Sequence, residues 1–368
     1  MANSMAKKIF VAATQQNDGK TTVSLGLIAA LKKRFDRIGF IKPIGQRYLM
    51  EQGYKVDEDS ILIEKLFGIK CNIKDMSPIA IEKGFTERFI DKGPDEDYEK
   101  LIKESYEKVA KDNDLVIIEG TGHAGVGSVF NLSNATVARL LDANVMMISS
   151  GGVGKPIDEV MLNKALLDKE GVKLAGVVVN KVLPEKYDRI SGFVKKGLEQ
   201  KGLNVFGMLP YQKILDIPTM REIMEELKIA ALYETENLDK PAEHVLIGAM
   251  NVKDALAFIS NNSLMIIPGD RDDMIEAVCR VNAGKMKKGC KISGMILSGG
   301  LMPKKRSLHE LKKSLIPVLI TKEDTYTIAS RVHSMVVKLK PQDKSKIEII
   351  VNMVDKYLDI DKVIANLK

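Results

Sequence analysis

The chain has 368 residues, 45% of them apolar and 29% charged, with a formal net charge of +7. Such a length and apolar content fit a globular protein of two domains or one large one, and with no run of about 18 apolar residues no membrane-spanning helix is expected. The positive surplus is spread through a mixed charged surface and the chain has no Trp, so nucleic acid is not the expected partner.

The N-terminal Met1-Ala-Asn-Ser-Met5 runs straight into Lys7-Lys8. It offers no hydrophobic segment followed by a cleavage site, so a cytoplasmic location is expected. Residues 9–12 form an apolar run that reads as a buried strand, and residues 23–31 read as the start of an amphipathic helix. Between them Gly19-Lys20-Thr21-Thr22 is the second half of a P-loop. The glycine lets backbone N–H groups approach phosphate, the lysine reaches the β/γ oxygens, and the Thr21 hydroxyl suits Mg²⁺. The helix that begins there turns its positive end toward the same phosphates. The full pattern asks for glycine where Thr14 stands.

Residues 37–44 read as a second strand ending at Lys42-Pro43. A dinucleotide fold would place an acid there to hold a ribose; a lysine argues against NAD and for a second cation beside a phosphate or acyl phosphate. Asp57-Glu58-Asp59 precede a helix at 61–67; acids there either cap the helix or hold Mg²⁺ through water, and capping is favoured for Asp57. Residues 72–97 read as an irregular lid or substrate loop. Residues 98–111 place Leu101, Ile102, Tyr106 and Val109 on one helical face.

The strand at 115–118 ends in Glu119, where a P-loop protein puts its second Mg²⁺ contact. Gly120, Gly122 and Gly125 spell G-x-G-x-x-G, but no helix opens on the last of them. They read as a flexible loop near the γ-phosphate or the substrate. His123 within it reads equally as a catalytic group or as an exposed loop histidine. A helix at 135–141 and a strand at 145–149 follow. Gly154-Lys155 then precedes Pro156 without a Ser or Thr, and reads as a connection on the binding rim. The strand at 174–179 ends in Asn180-Lys181, with Leu183 where a guanine-selective site would carry Asp; ATP is the default nucleotide. A further strand occupies 204–209.

Residues 234–243 are acidic and interrupted by Pro241, and read as a linker. Beyond them strands at 245–249, 264–267, 292–297 and 318–321 alternate with helices at 252–259, 274–283, 329–339 and 347–357. This is a second, smaller α/β unit. Its strand ends carry Gly269-Asp270-Arg271 and Ser298-Gly299-Gly300. The expected division is a nucleotide-binding domain over 1–233, a linker over 234–243, and a second domain with C-terminal helices over 244–368. Cys71, Cys279 and Cys290 lack metal spacing and read as small buried hydrophobes. The basic clusters Lys285-Met-Lys-Lys288 and Lys304-Lys-Arg306 read as solvated faces first, with an anionic ligand as the alternative.

The combination of Thr14, Gly19-Lys20-Thr21-Thr22, Lys42-Pro43, Glu119-Gly120 and Asn180 is similar to dethiobiotin synthetase. It resembles more closely the dethiobiotin-synthetase-like N-terminal part of long phosphotransacetylases. Gly269-Asp270-Arg271 with Ser298-Gly299-Gly300 resembles the DRTGG domain that follows that part, Ser298 standing for its Thr. The resemblance implies an α/β protein: a P-loop NTPase with a doubly wound, mostly parallel sheet, then a smaller α/β DRTGG-like domain. It further implies that Thr14 is the family's own variant of the loop, and that Thr14, Asn17, Gly19, Lys20, Thr21, Thr22 and Asn180 bind ATP, with Asn180 at the adenine. Thr21, Asp59 and Glu119 would surround Mg²⁺. Lys20, Lys42 and Glu119 would be the catalytic groups if phosphoryl chemistry occurs. Asp270, Arg271, Ser298, Gly299 and Gly300 are ligand candidates in the second domain.

The chain stops where the acetyltransferase domain of a long phosphotransacetylase would begin, so acetyl transfer to phosphate is not expected. The loop after Glu119 differs from the substrate loop of dethiobiotin synthetase, and no cysteine sits in a glutaminase turn. The expectation is therefore an ATP- and Mg²⁺-binding regulator that senses nucleotide or a small anionic metabolite, with a partner enzyme or a homodimer in view. The alternative is a ligase that activates a carboxylate or carbamate through a phosphorylated intermediate.

Overall fold

The computed structural model describes residues 6–286 and 290–368. The expectation for Met1–Met5, and Lys287 and Lys288 of the first basic cluster, lie outside the described residues. The chain divides into two compact units, one of Met1–Gln212 with Leu339–Lys368 and one of Lys213–Lys338.

The first unit is built on strands β1 (Lys7–Ala13), β2 (Ile38–Ile41), β3 (Leu115–Glu119), β4 (Val145–Ser150), β5 (Leu174–Val182) and β6 (Val205–Pro210). All are near-continuous apolar runs, the pattern demanded of strands covered on both faces. They pair in parallel in the order β6-β5-β4-β1-β3-β2. From β1 the chain steps outward to β2, whereas from β3 it crosses to β4 and continues the other way. The carboxyl end of β1 therefore lies where the strand order changes direction, which is where open α/β sheets bind ligands. Val11 stands opposite Glu119 and Ala13 opposite Ile148, so the P-loop, Glu119 and the end of β4 share one rim.

Helices cover this sheet, and one of them arrives from far along the chain. Helix Lys344–Tyr357 lies against helix Lys20–Leu31 so closely that a Cβ on Gly26 would meet Val354 Cγ2 at 2.3 Å. Lys8 and Lys368 exchange backbone hydrogen bonds of 2.9 and 3.0 Å, and Asn144 Nδ2 donates to the Asn366 carbonyl at 3.0 Å. The C-terminal helices, expected in the second domain, thus complete the first unit. Their amphipathic spacing announces a buried face without naming its neighbour, and contiguity assigned them to the wrong one.

The second unit holds β7 (Ala230–Ala231), β8 (His244–Ile247), β9 (Ser263–Pro268), β10 (Ile292–Ser298) and β11 (Val318–Ile320). They lie in the order β7-β11-β10-β9-β8, with β7 antiparallel and the rest parallel. Helix Met220–Leu227 buries Met220, Ile223 and Leu227 against Leu264, Ile266 and Ile296. The unit therefore begins near residue 213, not after 233. The expected linker at 234–243 also belongs to it: Leu238 and Ala242 join the same cluster, and the Ser293 hydroxyl donates to the Pro241 carbonyl. Proline and acidic residues mark irregular backbone, which is compatible with tight packing.

Thr219 caps the helix in a reciprocal arrangement. Its Oγ1 accepts from Glu222 N at 3.2 Å, while Glu222 Oε2 accepts from Thr219 N at 2.6 Å. Thr219→Ala should lower the stability of this unit by about 1 kcal/mol, read as the shift of a urea transition; an unmoved midpoint would mean that the cap contributes nothing.

Elsewhere the irregular stretch 72–97 contains helices Ile73–Met76 and Phe85–Lys92. Gly154-Lys155, read as a connection, instead opens helix Gly154–Lys169. The three cysteines are free, Cys279 and Cys290 being buried and Cys71 partly so. Among the described residues no helix is long and apolar enough to cross a membrane.

Candidate functional site

Strand β1 delivers the chain to a sharp turn whose last residue, Gly19, has φ +95° and precedes helix Lys20–Leu31. Only glycine suits that conformation at this spot, since a Cβ there would also meet Asn180 Nδ2 at 2.2 Å. Lys20 and Thr21 are the first residues of the helix and Thr22 is half-buried in its first turn. Asn17 is exposed with φ +64°. At the start of the turn the Thr14 hydroxyl sits 2.8 Å from Asp18 Oδ2, 2.8 Å from Glu159 Oε2 and 3.1 Å from Ser149 Oγ. Gln15 adds a backbone donation to Asp18 Oδ2 at 2.8 Å and a side-chain donation to Glu159 Oε1 at 2.6 Å. A side-chain brace thus shapes the loop at the position where the commoner motif has glycine.

Asn180, at the end of the apolar stretch of β5, is buried. Its Nδ2 donates to the Asp18 carbonyl at 2.8 Å and its Oδ1 accepts from Lys181 N at 2.9 Å. In this arrangement it holds the far end of the loop.

Beside the loop lies a compact charge cluster. Lys42, just past β2, is buried with its Nζ 3.0 Å from Asp57 Oδ1, on the Asp59 carboxylate, and 3.7 Å from Glu119 Oε1. Burial alone would lower the Lys42 pKa, but Asp59, Asp57 and Glu119 outweigh it and hold the ammonium above its ordinary value. Asp57 also caps helix Glu58–Phe67, accepting from Asp59 N at 3.0 Å, so capping and pairing share one carboxylate. Burial raises the Asp57 pKa against the pull of Lys42. Glu119 is wholly buried; burial, and then Asp59, push its pKa up to about 7 despite Lys42. Burial lowers the Lys20 pKa, with Glu119 opposing.

Thr21 Oγ1 donates to Glu119 Oε1 at 3.3 Å, while Glu119 Oε2 is buried without a hydrogen-bond partner. A hydroxyl and two carboxylates are the hard oxygen donors that Mg²⁺ takes, and a buried carboxylate oxygen with no donor is a vacancy in that bonding. Among the described residues no trio of His, Cys, Asp and Glu side chains is arranged to hold a metal alone. Mg²⁺ bound with nucleotide draws most of its ligands from phosphate and water, so Thr21, Asp59 and Glu119 fit that ion.

Thr14, Gly19, Lys20, Thr21, Lys42, Asp59, Glu119 and Asn180 thus converge on one rim. His123 is exposed, its Nδ1 accepting from Gly125 N at 3.2 Å. The glycine loop around it is pinned: Asn134 accepts from Thr121 N at 3.1 Å and donates to the carbonyls of Thr121 and His123 at 2.8 and 2.7 Å. Asp18, Ser149 and Glu159 were not legible as site residues. Asp18 adjoins Gly19, but nothing local ties Glu159 to a loop 145 residues earlier.

In the second unit the expected residues meet at adjoining strand ends, Pro268 of β9 opposite Ser298 of β10. Gly299 and Gly300 have φ +80° and +66° and donate to the carbonyls of Glu323 and Thr321 at 2.7 and 2.8 Å. Ser298 Oγ lies 2.7 Å from Thr325 Oγ1. Asp270 is exposed. Arg271 is committed to structure, forking onto Asp273 at 2.8 and 3.0 Å and donating to the Gly248 and Met250 carbonyls at 3.1 and 3.2 Å.

Residues 7–219 match the family described as AAA domain, and residues 222–335 match the DRTGG domain. The chain is similar to the phosphate acetyltransferase of Nitratidesulfovibrio vulgaris, 26% identical over 377 residues that cover 99% of this chain and 52% of that protein. It is likewise similar to the phosphate acetyltransferase of Pseudomonas putida, 27% identical over 95% of this chain and 50% of that protein. The chain spans about half the length of the curated relatives it matches, and its domain pair corresponds to the N-terminal region of long phosphotransacetylases. Among solved structures it is similar to the MinD cell division protein of Aquifex aeolicus, at 16% identity over 56% of this chain and 83% of that one, TM-score 0.34. It is also similar to the CBS and DRTGG domains of the regulatory region of Clostridium perfringens pyrophosphatase, at 24% identity over 34% of this chain and 51% of that one, TM-score 0.27.

Proposed function

The chain belongs to the AAA domain family, and from that premise we propose that its first unit binds ATP with Mg²⁺ and that the protein is a nucleotide- or metabolite-responsive regulator. The observation that carries the reading is the turn at Gly19, with Lys20 and Thr21 opening a helix and the Glu119 carboxylate 3.3 Å from the Thr21 hydroxyl. The amides of residues 15–21 and Lys20 would bind the phosphate tail. Thr21, Asp59 and Glu119 would hold Mg²⁺, which when bound neutralises phosphate charge. ATP is preferred to GTP because Leu183 replaces the acid that reads guanine. Asp270, Ser298, Gly299 and Gly300 would line a metabolite site in the second unit, with Arg271 holding the loop beside it through Asp273 and the Gly248 and Met250 carbonyls. A dimer or a partner enzyme would receive the signal.

Calorimetry on the full chain should detect uptake of ATP that requires MgCl₂. Lys20→Ala should weaken it by about 10- to 100-fold, the worth of one or two charge-assisted hydrogen bonds. Folded protein that takes up no nucleoside triphosphate would end the reading.

One observation favours a ligase that activates a carboxylate or carbamate: Lys42 lies at the end of β2 beside Glu119. Its engagement by Asp57 and Asp59 commits the ammonium to the protein, so the regulatory reading is carried further. ADP release that depends on an added carboxylic acid would reverse that preference.

A further inference from the structure

Lys42 stands where the magnesium reading needs its carboxylates. Its Nζ is on the Asp59 carboxylate and 3.7 Å from Glu119 Oε1. That Glu119 oxygen is also the one to which Thr21 Oγ1 donates at 3.3 Å. The ammonium therefore engages two of the three groups assigned to Mg²⁺ and meets the third at a common acceptor. Glu119 is wholly buried and its Oε2 has no hydrogen-bond partner, so this point of the rim has carboxylate bonding left to satisfy.

Asp57 differs from the other two carboxylates. It is 2% exposed and fixed on several sides. Its backbone N–H donates to Ser77 Oγ at 2.9 Å, its Oδ1 accepts from Asp59 N at 3.0 Å, and a Cβ on Gly45 would lie 2.6 Å from its Oδ2. Lys42 Nζ is 3.0 Å from Asp57 Oδ1. The lysine backbone is held as well, donating to the Met76 carbonyl at 2.8 Å. A flexible four-carbon stem on a fixed backbone can exchange the partners of its ammonium without moving the strand.

Two cations on one pair of buried carboxylates repel strongly where water is scarce, and Mg²⁺ demands its own geometry at about 2.1 Å from oxygen. We propose that Lys42 is the resident cation of the magnesium site: it neutralises Asp59 and Glu119 in the metal-free protein, yields both to Mg²⁺, and is retained by Asp57. The inference rests on the reading that Thr21, Asp59 and Glu119 hold Mg²⁺, and adds that metal uptake is an exchange of cations. The exchange keeps the buried carboxylates compensated with and without metal, and it holds the metal affinity below what the carboxylates alone would give.

The test is Mn²⁺ uptake by the full chain at pH 8, followed by the relaxation of water protons. Lys42→Met should bind Mn²⁺ about tenfold more tightly than the wild type. Asp57→Asn keeps a capping side chain, but leaves Lys42 only the carboxylates that the metal needs. It should weaken uptake about three- to tenfold in the wild type, and less than about twofold in the Lys42→Met background. The double variant removes one charge of each sign, and should still bind Mn²⁺ about fivefold or more tightly than the wild type. A lysine felt only through space would give the same Asp57→Asn loss in both backgrounds and a double variant equal to the wild type; either result overturns the proposal. Asp59→Asn should weaken uptake in every background. Uptake that ignores Asp59→Asn would remove the magnesium reading and this inference with it, whereas uptake that depends on Asp59 but is no tighter in Lys42→Met would overturn the inference alone.

Discussion

Deleting residues 339–368 should unfold the first unit while leaving the second intact. The missing segment removes Ile350, Met353, Val354, Leu358 and Val363 from the core, each no more than 6% exposed. At about 1.5–3 kcal/mol per buried side chain that is roughly 7–15 kcal/mol as an upper figure, against a total domain stability of about 5–15 kcal/mol. It also bares the face of helix Lys20–Leu31 around Gly26, where Val354 is seated, and strips Lys8 of its backbone partner at Lys368. Hydrogen exchange followed by mass spectrometry separates the units. Peptides of β1, β3 and β6 should lose protection in the shortened chain, and peptides of β9 and β10 should keep it. Protection of β1 within a few-fold of the full chain would show that the tail is an ornament.

What was legible in the sequence had a local cause. Each central strand of the first sheet is a short apolar run closed by turn residues, and those runs gave the parallel sheet. Gly19-Lys20-Thr21 at the end of the first run and Glu119 at the end of another sufficed to place the candidate site, because in a parallel sheet the carboxyl ends of neighbouring strands share one rim. Contacts between distant segments were not legible. The stripe on helix Lys344–Tyr357 is the same whether it covers one sheet or the other. Glu159 reaches Thr14 across the end of β4, and no spacing rule links them. Leu238 and Ala242 looked like parts of a linker because composition reports backbone irregularity better than it reports burial.

The Lys42 cluster shows the same limit in sharper form. A lysine at a strand end reads as a cation offered to a ligand, and its numbering says nothing about Asp57 and Asp59 at the start of helix Glu58–Phe67. Once folded, the Lys42 ammonium stands among three carboxylates, two of them almost without solvent, with Lys20 also acting on Glu119. The electrostatics of the rim are therefore a property of the set, and Lys42 is the member that lets the others be buried.

Lys42→Met should accordingly be among the most damaging single substitutions in the first unit, though it changes volume little. Removing one partner of a buried ionic group leaves the others uncompensated, at a cost of about 3–5 kcal/mol. The cost should depend on pH, and its sign follows from linkage. Glu119 has a folded pKa raised from 4.5 to about 7. Between those values the native state holds more protons than the unfolded chain, so its contribution falls as pH rises through that window. Lys42 opposes the upward shift; without it Glu119 and Asp57 move higher still and take up protons in the folded state. Urea unfolding of the protein without added metal should show the full deficit at pH 8, and a smaller one at pH 5.5, where protonation replaces the missing ammonium. Asp59→Asn in the Lys42→Met background should recover part of the loss at pH 8 by removing one of the stranded charges. A deficit equal at both pH values, with no recovery in the double variant, would show that the cost does not come from the carboxylates left without the ammonium.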